Sequence, residues 1–241
     1  MNIVESHLDY HADGKAFRGV ICEDNQVLHP RAVVVLLPDW RGQSDLAKNH
    51  AHRLVALNCA VVIADLYGGG FTTEDHAQVG GLVKKLIENR DHGVAATAAC
   101  VDAVRILRPD VPIVCLGYSA GGMIVLDYGR SGAGVAGIIT CSGLLKTAVA
   151  GMPTKIGAPV LMLQGTQDVV SSMDVINALV GEMDAAGNNF RIQLFGQTHH
   201  AFDNPAVGID PTARLVYSAT SDAWSRNAIA AFIEEVVQPK S

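Results

Sequence analysis

Between an apolar run at 111–116 and a helix-like stretch at 122–128, the chain spells Gly117-Tyr118-Ser119-Ala120-Gly121-Gly122. A serine with glycine two places to either side suits a sharp strand-to-helix turn, where a strained backbone tolerates only small neighbours. Such a turn lifts the hydroxyl above a sheet edge. It also sets the serine at a helix N-terminus, whose free N–H groups and dipole favour negative charge on a substrate oxygen. The chemistry predicted is nucleophilic attack by Ser119 on a carbonyl. A serine hydroxyl is a weak nucleophile at neutral pH, so it requires a base, and the base requires an acceptor to hold its tautomer.

Two later loops offer these groups. After the apolar run 160–163 comes Gln164-Gly165-Thr166-Gln167-Asp168, which makes Asp168 the candidate acid. It could instead merely cap or turn the chain toward the helix near Ser171. Asp174 is the weaker candidate, because it falls inside the helical pattern. After the run 190–195 comes Gly196-Gln197-Thr198-His199-His200-Ala201-Phe202, and one of its two histidines is the candidate base. Two N–H groups are needed for the oxyanion: Ala120, next to the nucleophile, supplies one, and Trp40, in the turn Pro38-Asp39-Trp40-Arg41-Gly42, is the candidate for the other. That turn also reads as a helix entry with Ser44 as N-cap. Trp40, Tyr67, Phe71, Tyr118 and Phe202 could line an apolar cleft or fill core. His50 and His52 lie two places apart and would diverge on a helix, so no metal site is expected, and the mechanism calls for no cofactor.

These groups need a scaffold that brings strand ends together. Residues 3–22 read as two strands about His11-Ala12-Asp13-Gly14, an antiparallel hairpin. Short buried strands are expected at 32–37, 60–65, 111–117, 135–141, 158–164 and 190–195, with helices at 44–57, 74–88, 92–107, 120–130, 171–186 and after Pro211. The alternation predicts an α/β fold with a mainly parallel sheet and helices on both faces. In the last helix Trp224, Ala228, Ile229, Phe232, Ile233 and Val236 form one apolar stripe for packing on the sheet. The connection 142–158 is short and shows no helical period, so no large lid domain is expected. Residues 1–241 read as one domain.

Composition narrows the partners. The net charge is −6 and the basic residues are scattered, which argues against nucleic acid. Residues 1–10 lack the basic start and apolar stretch of a signal peptide, and the run 32–37 is too short to span a bilayer, so no membrane partner is expected. Five widely spaced cysteines, four of them in apolar runs, read as reduced core residues of a cytoplasmic protein. A small-molecule substrate and a monomer or homodimer are the expectation.

The chain resembles the dienelactone hydrolase family of α/β-hydrolases from about residue 30 onward. The resemblance rests on Pro38-Asp39-Trp40-Arg41-Gly42, Ala64-Asp65-Leu66-Tyr67, the segment around Ser119, Gly165-Thr166-Gln167-Asp168, and His200-Ala201-Phe202 followed by Asn204-Pro205. It implies an α/β-hydrolase fold and a Ser119, Asp168, His200 triad, because the family places its base directly before a small residue and Phe. It also implies that Asp39, where the family often has Glu, either tunes the resting nucleophile or orients the turn. The enzymes that open dienelactones differ in two places, carrying Cys where Ser119 stands and Arg where Asn204 stands. The expectation is therefore a serine hydrolase of an ester or lactone. A ligand-binding protein without turnover, or a thioesterase, deacetylase or peptidase using the same triad, are the alternatives.

Overall fold

A computed structural model describes residues 1–152 and 154–238. The chain opens with β1 (Ile3–Ala12) and β2 (Lys15–Asp24), paired antiparallel from Ile3 with Asp24 to Ala12 with Lys15. Asp13 and Gly14 join them with φ of 49° and 73°, the positive pair that a two-residue hairpin turn requires. The remaining strands are β3 (Val33–Leu37), β4 (Ala60–Ile63), β5 (Ile113–Tyr118), β6 (Gly137–Cys141), β7 (Val160–Gly165) and β8 (Phe190–Phe195). One sheet runs β1-β2-β4-β3-β5-β6-β7-β8, parallel from β4 to β8 and antiparallel at the N-terminal pair.

The helices are α1 (Asp45–Val55), α2 (Val79–Glu88), α3 (Arg90–Leu107), α4 (Ala120–Arg130), α5 (Met173–Ala185) and α6 (Ala219–Val237). The unbroken run Val33-Val34-Val35-Leu36-Leu37 follows from burial on both faces. Val33, Val35 and Leu37 join a core with residues of α3, α4 and α5, whereas Val34 and Leu36 join a second core with residues of α1 and α6. The α/β fold with a mainly parallel sheet and helices on both faces is the one expected.

The differences are local. The helix expected at 74–88 is a 3₁₀ turn, His76–Gln78, running into α2, and Asn89 at φ −123° separates α2 from α3. The last helix does follow Pro211, beginning at Ala219 with Ser218 as N-cap, whose side chain accepts the Ser221 N–H. Its apolar stripe is shorter than expected. Ile229, Phe232 and Ile233 are buried but Trp224 is 57 % exposed, because the first turns of α6 bury Ser221, Asp222 and Ser225 instead. There Thr198 and Arg53 hydrogen-bond Ser221 and Asp222, so polar pairing replaces apolar contact.

All five cysteines are free and buried. Burial pushes the Cys22 and Cys59 thiols up to about 11 and the Cys100 thiol up to about 12. Among the described residues no helix is long and apolar enough to cross a membrane.

Candidate active site

Ser119 links β5 to α4 with φ +47° and ψ −113°, a strained conformation for a residue with a side chain. A Cβ at Gly117 would collide with the Gly121 carbonyl, and one at Gly121 with the carbonyls of Leu37 and Pro38. Both glycines are thus required by contact, and the second contact draws the end of β3 against the start of α4. The N–H of Ser119 bonds to the Cys141 carbonyl at 3.4 Å, and its own carbonyl accepts the Leu144 N–H at 2.7 Å. The peptide that carries the hydroxyl is therefore held from both sides.

Ser119 Oγ lies 3.0 Å from His200 Nε2, and His200 Nδ1 lies 2.7 Å from Asp168 Oδ2. With Asp168 ionised, Nδ1 donates to it and Nε2 is left to accept the Ser119 O–H. Asp168 also accepts the N–H groups of Val170 (2.7 Å) and Ser171 (2.9 Å) on Oδ1 and so turns the chain toward α5 while facing His200, whereas the N-cap of that helix is Ser172. Asp174 sits in the first turn of α5, within the helix as expected. The base loop is strained in its turn: Ala201 has φ +58° and donates its N–H to Ser142 Oγ at 2.7 Å, and Ser142 has φ +47°.

The turn after β3 reaches the same edge. Tyr67 donates its hydroxyl to the Trp40 carbonyl at 2.9 Å, and Asp39 accepts the Arg41 N–H at 2.9 Å and the guanidinium through both oxygens. Burial opposes the Arg41 charge, but the hydrogen bond and charge of Asp39 outweigh it and hold the guanidinium above its usual range. Among the described residues, neither the Trp40 N–H nor the Ala120 N–H donates a hydrogen bond, and both residues line the cavity at Ser119. Two free donors at this edge are what an oxyanion requires.

Of the five aromatic residues expected to line a cleft, Trp40 and Tyr118 do. Phe202 is fully buried, packed edge-on to Phe195 at 5.3 Å, and is a core residue. Tyr67 and Phe71 pack on each other at 5.2 Å behind the turn, where Tyr67 positions Trp40 rather than meeting the cavity. Asp65, buried, accepts the N–H groups of Tyr67, Gly68 and Gly70 and so shapes the loop that carries Tyr67. His50 and His52 diverge: the first stacks on Tyr118 at 4.0 Å and meets Asp203 at 3.1 Å, the second faces Glu5. Asn204 accepts the Ala206 N–H and ends the base loop.

Several residues of the site were not singled out from sequence. His76 lines the cavity and its ring lies 5.4 Å from that of Trp40. The cavity wall there comes from the 3₁₀ turn and α2, after β4, while 142–158 carries no helix among its described residues. Gln164 is another omission. Buried at the end of β7, it accepts the Gly143 N–H and donates to Asp168 Oδ2 at 2.5 Å, the same oxygen that holds His200. A polar residue closing an apolar strand was its signal. Gln164→Leu removes a hydrogen bond to a charged group, worth about 1.5–3 kcal/mol, so kcat for an ester is expected to fall roughly 10- to 100-fold with KM little changed. Steady-state kinetics check this, and an unchanged kcat would remove Gln164 from the positioning of Asp168.

The fold has many solved counterparts. A dienelactone hydrolase-like promiscuous phosphotriesterase from metagenomic libraries is 26% identical, with a TM-score of 0.89 over 98% of this chain and 99% of that one. The dienelactone hydrolase of Anabaena variabilis is 13% identical, with a TM-score of 0.69 over 98% and 99%. Brefeldin A esterase, a bacterial protein, is 12% identical, with a TM-score of 0.74 over 98% of this chain and 78% of that one. Among curated proteins, no sequence matches the chain. The model of the dienelactone hydrolase family matches residues 17–235, which supports an ester-hydrolase role, and by that match over most of its length the chain belongs to the dienelactone hydrolase family.

Proposed function

We propose that the protein is a serine hydrolase that cleaves a carboxylic ester or lactone through an acyl-enzyme. The observation that carries this is the hydrogen-bonded line from Ser119 Oγ through His200 to Asp168, at 3.0 and 2.7 Å, on a serine held at φ +47°. His200 takes the hydroxyl proton as Ser119 Oγ bonds to the carbonyl carbon, and the Trp40 and Ala120 N–H groups hold the oxyanion. When the tetrahedral intermediate collapses, His200 gives that proton to the leaving alkoxide as the C–O bond breaks. Water then repeats the sequence on the acyl-enzyme and releases the acid. Asp168 keeps the imidazole in the required tautomer and balances its charge. Asp39, committed to Arg41, orients the oxyanion turn.

The aligned triad favours turnover over ligand binding alone. The five buried free thiols fit the reducing interior of a cell, and the continuous sheet fits one domain. The test is hydrolysis of short p-nitrophenyl esters by wild type and Ser119→Ala, with a fluorophosphonate probe mapped by mass spectrometry. Labelling at Ser119, with the variant's rate falling to the uncatalysed background, is expected. Labelling elsewhere, or an active Ser119→Ala, would replace this reading.

A further inference from the structure

We infer that the substrate is a neutral ester whose acyl or alcohol group is no larger than about a benzene ring, and that Val79 and Val83 of α2 set the limit. This rests on the ester hydrolysis proposed above. The cavity that reaches Ser119 has a volume of about 140 Å³. For scale, an aliphatic cavity of about 150 Å³ in a protein core takes up benzene. Beside Trp40, His76 and Tyr118, much of its wall is aliphatic, from Leu46, Val79, Val83, Leu144, Val170 and Leu215. A group of four to six carbons fills that space, and a longer chain meets α2.

The charges at the margin point to a neutral substrate. Arg41 is the one Lys or Arg among the described lining residues, and its guanidinium is engaged by Asp39, with Glu74 3.7 Å away. Asp203, also at the cavity, meets His50 at 3.1 Å. A substrate carboxylate would have to displace Asp39 from a buried ion pair and would lie near Asp203, and both effects cost binding.

The limit is assigned to α2 because of how little of that helix is buried. Leu86 is its buried residue, while Val79 and Val83, one turn apart on the same face, are only partly buried. A Cβ at Gly80 or Gly81 would have no heavy atom within 4 Å, so this turn of α2 is open to solvent on its outer side. Val79 lies outside both cores and Val83 packs only against the margin of one, so shortening the two valines enlarges the cavity at its outer wall.

The experiment follows acid release from methyl esters of butyric, hexanoic, decanoic and benzoic acids and from the alkyl acetates of matching length. Monomethyl adipate serves as the charged counterpart of methyl hexanoate. In at least one series kcat/KM should peak at four to six carbons and fall by about 10-fold or more at ten, and monomethyl adipate should lie at least about 10-fold below methyl hexanoate. Val79→Ala with Val83→Ala should raise the ratio of ten-carbon to four-carbon kcat/KM about 10-fold or more in that series. Rates that stay level or rise with length in both series, or equal use of the charged ester, would overturn the inference. An unchanged ratio in the double variant would overturn the role of α2. Absence of any ester hydrolysis would instead count against the chemistry proposed above. The pocket can then be read by NMR titration of Ser119→Ala, where binding of methyl benzoate but not methyl decanoate supports the size limit and the reverse defeats it.

Discussion

A His200→Ala variant is expected to hydrolyse a short p-nitrophenyl ester roughly 10⁴- to 10⁶-fold more slowly than wild type, the range seen when a triad member is lost. The adjacent His199→Ala should stay within about threefold of wild type, as a substitution outside the site. The structure distinguishes the two residues. His200 is buried between Ser119 and Asp168 through both ring nitrogens, whereas His199 lies outside the described lining of the cavity. His76 also lines the cavity, but its ring is tilted against that of Trp40 and makes no hydrogen bond to Ser119 among the described contacts. The backbone around His200 is pinned as well, with its carbonyl accepting the Val216 N–H at 3.2 Å and the next residue tied to Ser142. The drop should appear in kcat, because in the proposed reaction His200 acts on a proton that moves only in the chemical step. Fluorophosphonate labelling of Ser119 should slow in parallel, since that reagent requires the same deprotonation. Equal losses in the two histidine variants would show that the loop and not one imidazole is being read.

What the sequence made legible was chemistry tied to local geometry. Asp13-Gly14 predicts its own turn because few residue pairs accept two positive φ angles, and the serine with its two glycines predicts its own strain. The run at 33–37 reveals a doubly covered strand because both faces of the sheet demand apolar residues. What stayed hidden depended on partners distant in sequence. Phe202, Tyr67 and Phe71 have the same composition signal as Trp40 and Tyr118, and only packing decides that Phe202 meets Phe195 and that Tyr67 reaches the Trp40 carbonyl. Trp224 belongs to a regular helical stripe, but the polar first turns of α6 settle against Thr198 and Arg53 and leave it outside. Arg41 and Gln164 looked like ordinary polar residues beside strand ends. Their importance comes from the carboxylates they face, Asp39 and Asp168, and the second of these pairs joins residues four apart across a strand-to-loop turn whose geometry no periodicity describes.

Asp127→Ala is expected to destabilise the fold by about 3–5 kcal/mol, the cost of leaving buried charge without its partner. For a domain of this size that corresponds to a fall in Tm of roughly 6–20 °C, read by thermal unfolding. Asp127 is fully buried near the end of α4 and accepts Arg90 Nε at 2.5 Å, Arg90 Nη2 at 2.6 Å and Arg130 Nη1 at 2.8 Å. Arg130, also without exposure, keeps Glu182 of α5 at 2.6 Å when Asp127 is removed. Arg90, at the start of α3, keeps the Thr147 carbonyl at 3.2 Å, a neutral acceptor, and so carries most of the loss. If that account is right, Arg90→Met should recover at least about 1 kcal/mol when added to Asp127→Leu, because the stranded guanidinium disappears with its desolvation penalty. No recovery would mean that the cost lies in Arg130 or in packing. The network sits at the opposite end of α4 from Ser119, so the folded fraction of Asp127→Ala should retain its rate per molecule at 25 °C. A loss of rate without a loss of stability would instead mean that the two ends of α4 are mechanically coupled, and that the ion network helps hold the serine in its strained turn.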